Sequence, residues 1–195
     1  MNLPNQLTVA RLLLTGCFVA VLSTPLPFAA TIALALFSLA SISDYLDGEI
    51  ARRRQLITDF GKLMDPLADK VMMAAAFIML VPHGAFPAWV PIAMISREFL
   101  ITGLRSLAAG KGVVLPADNL GKHKTIWQII MVLYFLLLLS LREGQAAGWF
   151  SMEHIDRYAW TYGGPVLIAV ALWLTLFSGI GYVRRNWSLI TSHSL

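Results

Sequence analysis

The chain has 195 residues, 57% hydrophobic and 13% charged, with a formal net charge of +4 and a mean hydropathy of +0.69. That composition excludes an ordinary water-soluble domain and points to a membrane protein. The positive balance needs no nucleic acid to explain it, because a basic face lying beside anionic lipid is sufficient.

Asp, Glu, Lys and Arg are absent from residues 12–43, 71–96, 125–141 and 158–183. Each run can hold a helix of roughly 20 residues, the length that crosses a hydrocarbon core. The first run is broken at Ser23-Thr-Pro25-Leu-Pro27 and reads as two helices. A further apolar stretch from Pro87 to Ala109 carries Arg97, Glu98 and Arg105. The sequence therefore predicts an all-α integral membrane protein with six transmembrane helices, near 6–23, 28–53, 63–81, 88–109, 120–141 and 159–184. The opening apolar stretch is long for a signal peptide, contains Arg11 and lacks a good small-residue cleavage site, so it reads as a retained helix. Cys17 lies in it, as the chain's single cysteine, and is expected to be a small buried residue.

An even helix count puts both termini on one side. In that topology most Lys and Arg fall toward the side of the termini, leaving Arg142 and Arg157 on the other. The positive-inside rule makes the terminal side cytoplasmic. Residues 142–157 are expected to form a polar, solvated connector on the outer side. Trp89, Trp149, Trp160 and Trp187 lie near predicted helix ends, where an aromatic belt would sit.

Four acids stand out against this apolar background. Asp44 and Asp47 are three apart near the end of the second helix, with Gly48, Ala51 and Arg52 beside them. Asp65 and Asp69 are four apart at the expected start of the third helix, where Pro66 is tolerable, and Gly61 is expected in the tight connection. Spacings of three and four put each pair on one helix face, and a short connection makes the two helices antiparallel neighbours. Asp44 is roughly 13 Å and Asp69 roughly 9 Å from the expected cytoplasmic helix ends, within one leaflet. Four carboxylates cannot all ionise together without compensation. Oxygen ligands with no His or Cys nearby favour Mg²⁺ or Mn²⁺. The plain alternative is internal pairing with Arg52, Lys62 and Lys70.

Asp44-x-x-Asp47-Gly48-x-x-Ala51-Arg52, eight residues, then Gly61-x-x-x-Asp65-x-x-x-Asp69 fills every position of the signature of the CDP-alcohol phosphatidyltransferases. The chain resembles that family over nearly its whole length, six-helix layout included. The resemblance implies one transmembrane catalytic domain over 1–195, a homodimer, and transfer of a phosphatidyl group from CDP-diacylglycerol to an alcohol with release of CMP. It implies two divalent ions held by Asp44, Asp47, Asp65 and Asp69, with Asp69 as general base. It places Gly48, Ala51 and Arg52 against the cytidine diphosphate.

Three more segments narrow the acceptor. Asn2-Leu-Pro-Asn5-Gln-Leu-Thr8-Val-Ala-Arg11 resembles the opening of the phosphatidylglycerophosphate synthases within this family. Asn5 and Thr8 could bond the nucleotide there, or Asn5 could simply cap the first helix. Arg97, Glu98 and Arg105 sit in an apolar helix, where such charges do not face lipid. They either pair internally or bind a phosphate, with Glu98 orienting an arginine. Lys122, His123 and Lys124 open the fifth helix, as an anion site or as positive-inside anchors. Of the histidines, only His123 lies near this pocket; His83, His154 and His193 read as loop or tail residues without chemistry.

Together Arg97, Arg105, Lys122 and Lys124 suit an acceptor that itself carries phosphate, and both segments resemble counterparts whose acceptor is sn-glycerol 3-phosphate. A bacterial inner-membrane enzyme facing the cytoplasm follows as the expectation. Same-family alternatives are a cardiolipin synthase and a phosphatidylinositol-phosphate synthase. From another class, a cation transporter would also place acids in helices, though nearer the midplane and within repeated halves.

Overall fold

The computed structural model describes residues 3–54, 59–110, 112–113, 115 and 119–187; within these, the side chains of residues 3–5, 7, 44–54, 59–63, 65–66 and 119–120 lie outside the description. The described residues are all-helical. Six long helices appear among them: α1 (Leu3–Ser23), α2 (Ala29–Arg54), α3 (Asp59–Leu80), α4 (Trp89–Gly110), α5 (Asn119–Ala146) and α7 (Gly164–Arg185). A short α6 (Glu153–Tyr158) and one π-helical turn (Ala159–Gly163) lead into α7.

Hydropathy located each long helix but misplaced several ends, because helical hydrogen bonding does not stop where apolar sequence stops. α3 begins at Asp59, not near residue 63, so Gly61 lies inside the helix rather than in the connection. Pro66 is then the eighth residue of α3, past its first turn, and its ring nitrogen leaves the Lys62 carbonyl without its usual donor. Counted from Asp59, Asp69 lies about 15 Å along the axis, deeper than the sequence suggested. α1 begins at Leu3, so Asn5 lies inside the helix and not at a capping position ahead of it. Residues 142–157 are not a simple connector: five of them complete α5, and the five from Glu153 to Arg157 belong to α6, which contains His154.

Length and apolar composition fit a membrane crossing for two segments, Gly121–Ala146 and Glu153–Arg185, and Thr8–Ser23 and Ala29–Ser43 are shorter apolar helices. α3 and α4 carry charges within their length, Asp69 and Lys70 in the one and Arg97, Glu98 and Arg105 in the other. The outer surface is nonetheless apolar in a way water-soluble proteins avoid: Leu13, Ile42, Leu107 and Phe177 are all more than half exposed. Cys17 is exposed as well, contrary to the expectation of burial.

The helices pack α1 against α2 and α3, α2 against α5, and α7 against both α4 and α5. The core between them holds Phe18, Phe37, Met72, Phe77, Met131 and Phe135, with Ala33, Ala40 and Ala76 fully enclosed. Alanines at the contacts let helix backbones approach closely, which is how helices associate where lipid removes the hydrophobic drive.

The far end of the bundle is tied by polar contacts. Glu143 of α5 accepts hydrogen bonds from the Ala30 and Thr31 amides, at 2.7 and 3.0 Å, and from the Thr31 hydroxyl at 2.8 Å. A carboxylate there satisfies open donors and complements the α2 dipole. Tyr134 donates to the Ala159 carbonyl at the π turn (2.8 Å). A Cβ on Gly163 would sit 2.1 Å from that hydroxyl. Gly163→Ala is therefore expected to cost about 1–3 kcal/mol, read as a lower melting temperature in detergent; an unchanged melting temperature would mean the turn relaxes freely.

Candidate active site

Of the four signature acids, Asp69 is the one whose side chain is described. Asp44, Asp47 and Asp65 lie on helical backbone in α2 and α3, but their side chains are outside the described set, as are those of Asn5, Gly48, Ala51 and Arg52. Asp69 forms an ion pair with Arg11 of α1, whose side chain is 2% exposed against 45% for Asp69. The sequence proposed Arg52, Lys62 and Lys70 as internal partners of the acids. Lys70 instead donates to Thr102 of α4 at 2.6 Å, while Arg52 and Lys62 lie outside the described side chains. The sequence signal for Arg11 is a basic residue just inside an apolar run, which by itself marks only a membrane face. Thr8, one turn earlier on α1, is 1% exposed and so enclosed in the bundle.

Arg97, Glu98, Arg105, Lys122 and Lys124 come together. All five line one cavity of about 450 Å³ between the ends of α4, α5 and α7. An adjoining cavity of about 260 Å³ shares Lys70, Glu98, Arg105 and Lys124 with it and reaches Asp69. The acid and the basic cluster thus border adjoining cavities. His123 is exposed and does not line either cavity, contrary to the sequence reading.

The five residues do different things. Glu98 Oε1 accepts from Arg97 Nη1 at 3.1 Å and is bonded to Lys124 Nζ. Arg97 Nη2 donates to Ser178 Oγ of α7 at 3.0 Å. Side-chain exposures of 10% for Arg97 and 5% for Lys124 make this trio a wall of the cavity. Arg105 and Lys122, by contrast, are exposed. Arg105 Nε donates to the Tyr182 hydroxyl at 3.1 Å, and its guanidinium carbon lies 5.3 Å from the Tyr182 ring centre.

From sequence α7 reads as a plain apolar span, yet it lends Tyr182 to this cavity and backs the wall with Ser178, the partner of Arg97. Thr175, Ser178 and Tyr182 are 0%, 1% and 3% exposed. Thr175 accepts from Gln128 of α5 at 3.0 Å. Gly179 makes room for Arg97, since a Cβ there would meet its Cγ at 2.9 Å. The signal was available as polar and small residues spaced three and four apart in an otherwise apolar helix, which puts them on one face.

Residues 1–180 match the family profile described as CDP-alcohol phosphatidyltransferase. The chain belongs to the CDP-alcohol phosphatidyltransferase family. It is 38% identical to the CDP-diacylglycerol–glycerol-3-phosphate 3-phosphatidyltransferase of Bacillus subtilis (strain 168), over 97% of each chain. It is 32% identical to the protein of the same name in Rickettsia bellii (strain RML369-C), over 94% of each chain. It is 34% identical to the "Probable phosphatidylglycerophosphate synthase" of Mycobacterium tuberculosis (strain ATCC 25618 / H37Rv), over 94% of this chain and 81% of that one. Family membership makes the chain an enzyme of the transferase class rather than a cation transporter.

Proposed function

We propose that this chain is a phosphatidylglycerophosphate synthase, transferring the phosphatidyl group of CDP-diacylglycerol to sn-glycerol 3-phosphate. The observation that carries the reading is that Asp69 and Arg105 line one cavity, and Arg105 and Lys122 line the cavity adjoining it. An acceptor whose phosphate lies among the cations can bring its hydroxyl toward the carboxylate. Its relatives' names point to the same pair of substrates.

In this reading Asp69 takes the proton of the acceptor hydroxyl. The freed oxygen attacks the phosphorus that bears the diacylglycerol, and the bond from that phosphorus to CMP breaks, CMP leaving with the electron pair. Arg11 holds the Asp69 carboxylate in place. Thr8 and Asn5 of α1, and Gly48, Ala51 and Arg52 of α2, line the nucleotide's side.

Asp44, Asp47 and Asp65 join Asp69 in holding two divalent ions, Mg²⁺ or Mn²⁺. The donor chemistry fits hard cations, and Asp69 presents a half-exposed carboxylate to a cavity. Bound there, such ions supply positive charge to the donor's pyrophosphate. Residues 1–195 form one catalytic unit crossing a bacterial inner membrane six times, termini and site toward the cytoplasm, and two copies associate as a homodimer.

The test offers purified protein CDP-diacylglycerol with Mg²⁺ and, in turn, sn-glycerol 3-phosphate, phosphatidylglycerol and inositol phosphate, and measures CMP release. Glycerol 3-phosphate is expected to give the fastest release, EDTA to abolish it and Mg²⁺ or Mn²⁺ to restore it. Arg105→Ala is expected to raise the acceptor KM about tenfold or more, the loss of charge-assisted bonds to one phosphate, with the donor KM little changed. Faster release with another acceptor would overturn the assignment.

A further inference from the structure

The two arginines of α4 are held very differently. Both terminal amino groups of Arg97 are engaged, by Glu98 and Ser178, and the side chain is buried. Arg105 is exposed, and among the described residues it is held at Nε alone, by the Tyr182 hydroxyl, with the Tyr182 ring beside the guanidinium. Its two terminal amino groups have no partner among the described residues. Those two groups form the fork that matches two oxygens of a phosphate. A long exposed arginine otherwise loses rotamer freedom when it binds. A buried tyrosine that fixes Nε beforehand reduces that cost.

Tyr182 is suited to this. It is 3% exposed, packs with Ile101 and Leu115, and still borders the 450 Å³ cavity. Its oxygen accepts from Arg105, and among the described residues its own O–H donates to nothing. That proton can reach a phosphate oxygen held by the arginine.

We infer that Tyr182 of α7 is a positioning residue for the acceptor's phosphate: it pins Arg105 at Nε, leaves the guanidinium fork open, and adds its own hydroxyl to the same phosphomonoester. This inference rests on the acceptor reading above and goes beyond it, since it assigns Arg105, Lys122 and Tyr182 to the ligand. Arg97, Glu98 and Lys124 become the wall that shapes the pocket.

Tyr182→Phe keeps the ring and its packing and removes only the hydroxyl. With full-length protein in detergent micelles containing CDP-diacylglycerol and Mg²⁺, the acceptor KM is expected to rise about tenfold. The Ki of inorganic phosphate, competing with the acceptor, is expected to rise in parallel. The donor KM and the melting temperature should stay at wild-type values, which a merely structural role would not predict. An unchanged acceptor KM and phosphate Ki in Tyr182→Phe, with Arg105→Ala impaired, would overturn the role of Tyr182 and leave the acceptor reading standing. Equal rises in both substrates' KM, or a lowered melting temperature, would make Tyr182 structural and overturn it as well. Wild-type protein inactive with glycerol 3-phosphate would overturn the acceptor reading and this inference together.

Discussion

Replacing Asp69 with Asn is expected to cut kcat for CMP release by about 10²- to 10⁴-fold, the range a positioned general base contributes. The substitution is nearly isosteric and keeps an oxygen that can accept from Arg11, whose buried side chain faces this position. The fold should therefore survive, so the melting temperature should hold within a few degrees. The comparison with Asp44→Asn is informative, because a ligand that only holds metal can be partly rescued by raising Mg²⁺ or Mn²⁺. A proton acceptor cannot be rescued that way. Normal turnover in Asp69→Asn would remove it from the base role, and full recovery at high metal would reduce it to a ligand.

The parts of this chain most legible from sequence were those where composition alone carries the physics. Apolar runs located the long helices, since hydrophobic length is what a bilayer selects. The signature acids stand out in the sequence because carboxylates in apolar surroundings are costly without a compensating charge; Asp69, the one whose side chain is described, meets Arg11. The basic cluster was legible because Arg97, Glu98, Arg105, Lys122 and Lys124 had no reason to face lipid, and the structure brings them around one cavity. Helix ends were not legible, since hydropathy is silent on backbone hydrogen bonding: α3 runs a turn further than its apolar residues, taking Gly61 inside and putting Pro66 past the first turn.

Partner identity was illegible for a different reason. Which cation meets Asp69, or which side chain meets Arg105, depends on how helices distant in sequence pack. Arg11 and Asp69 are 58 residues apart, and Arg105 and Tyr182 are 77 apart. Periodicity within one helix says which residues share a face. It does not say which face they meet, so α7's polar stripe went unread although its spacing was visible.

Glu98→Ala is expected to be the most destabilising single change in the cavity wall. One carboxylate oxygen serves both Arg97 and Lys124, whose side chains are 10% and 5% exposed. Removing it leaves Lys124 buried without its counter-charge and Arg97 with Ser178 as its remaining hydrogen-bond partner among the described residues. Breaking a buried pair in this way costs about 3–5 kcal/mol. The lower end is the better expectation here, because Glu98 is itself 24% exposed and water can reach the gap. The Arg142–Asp156 pair at the other end of the bundle makes the contrast. At exposures of 40% and 24% it should contribute about 1 kcal/mol or less, so Asp156→Ala should barely move the melting temperature. The cause of the Glu98 effect can be isolated by removing the stranded charge. Glu98→Ala combined with Lys124→Met should be more stable than Glu98→Ala alone, although less stable than wild type. A double variant no more stable than the single one, or a Glu98→Ala protein that melts with wild type, would mean that water rather than the carboxylate compensates these cations.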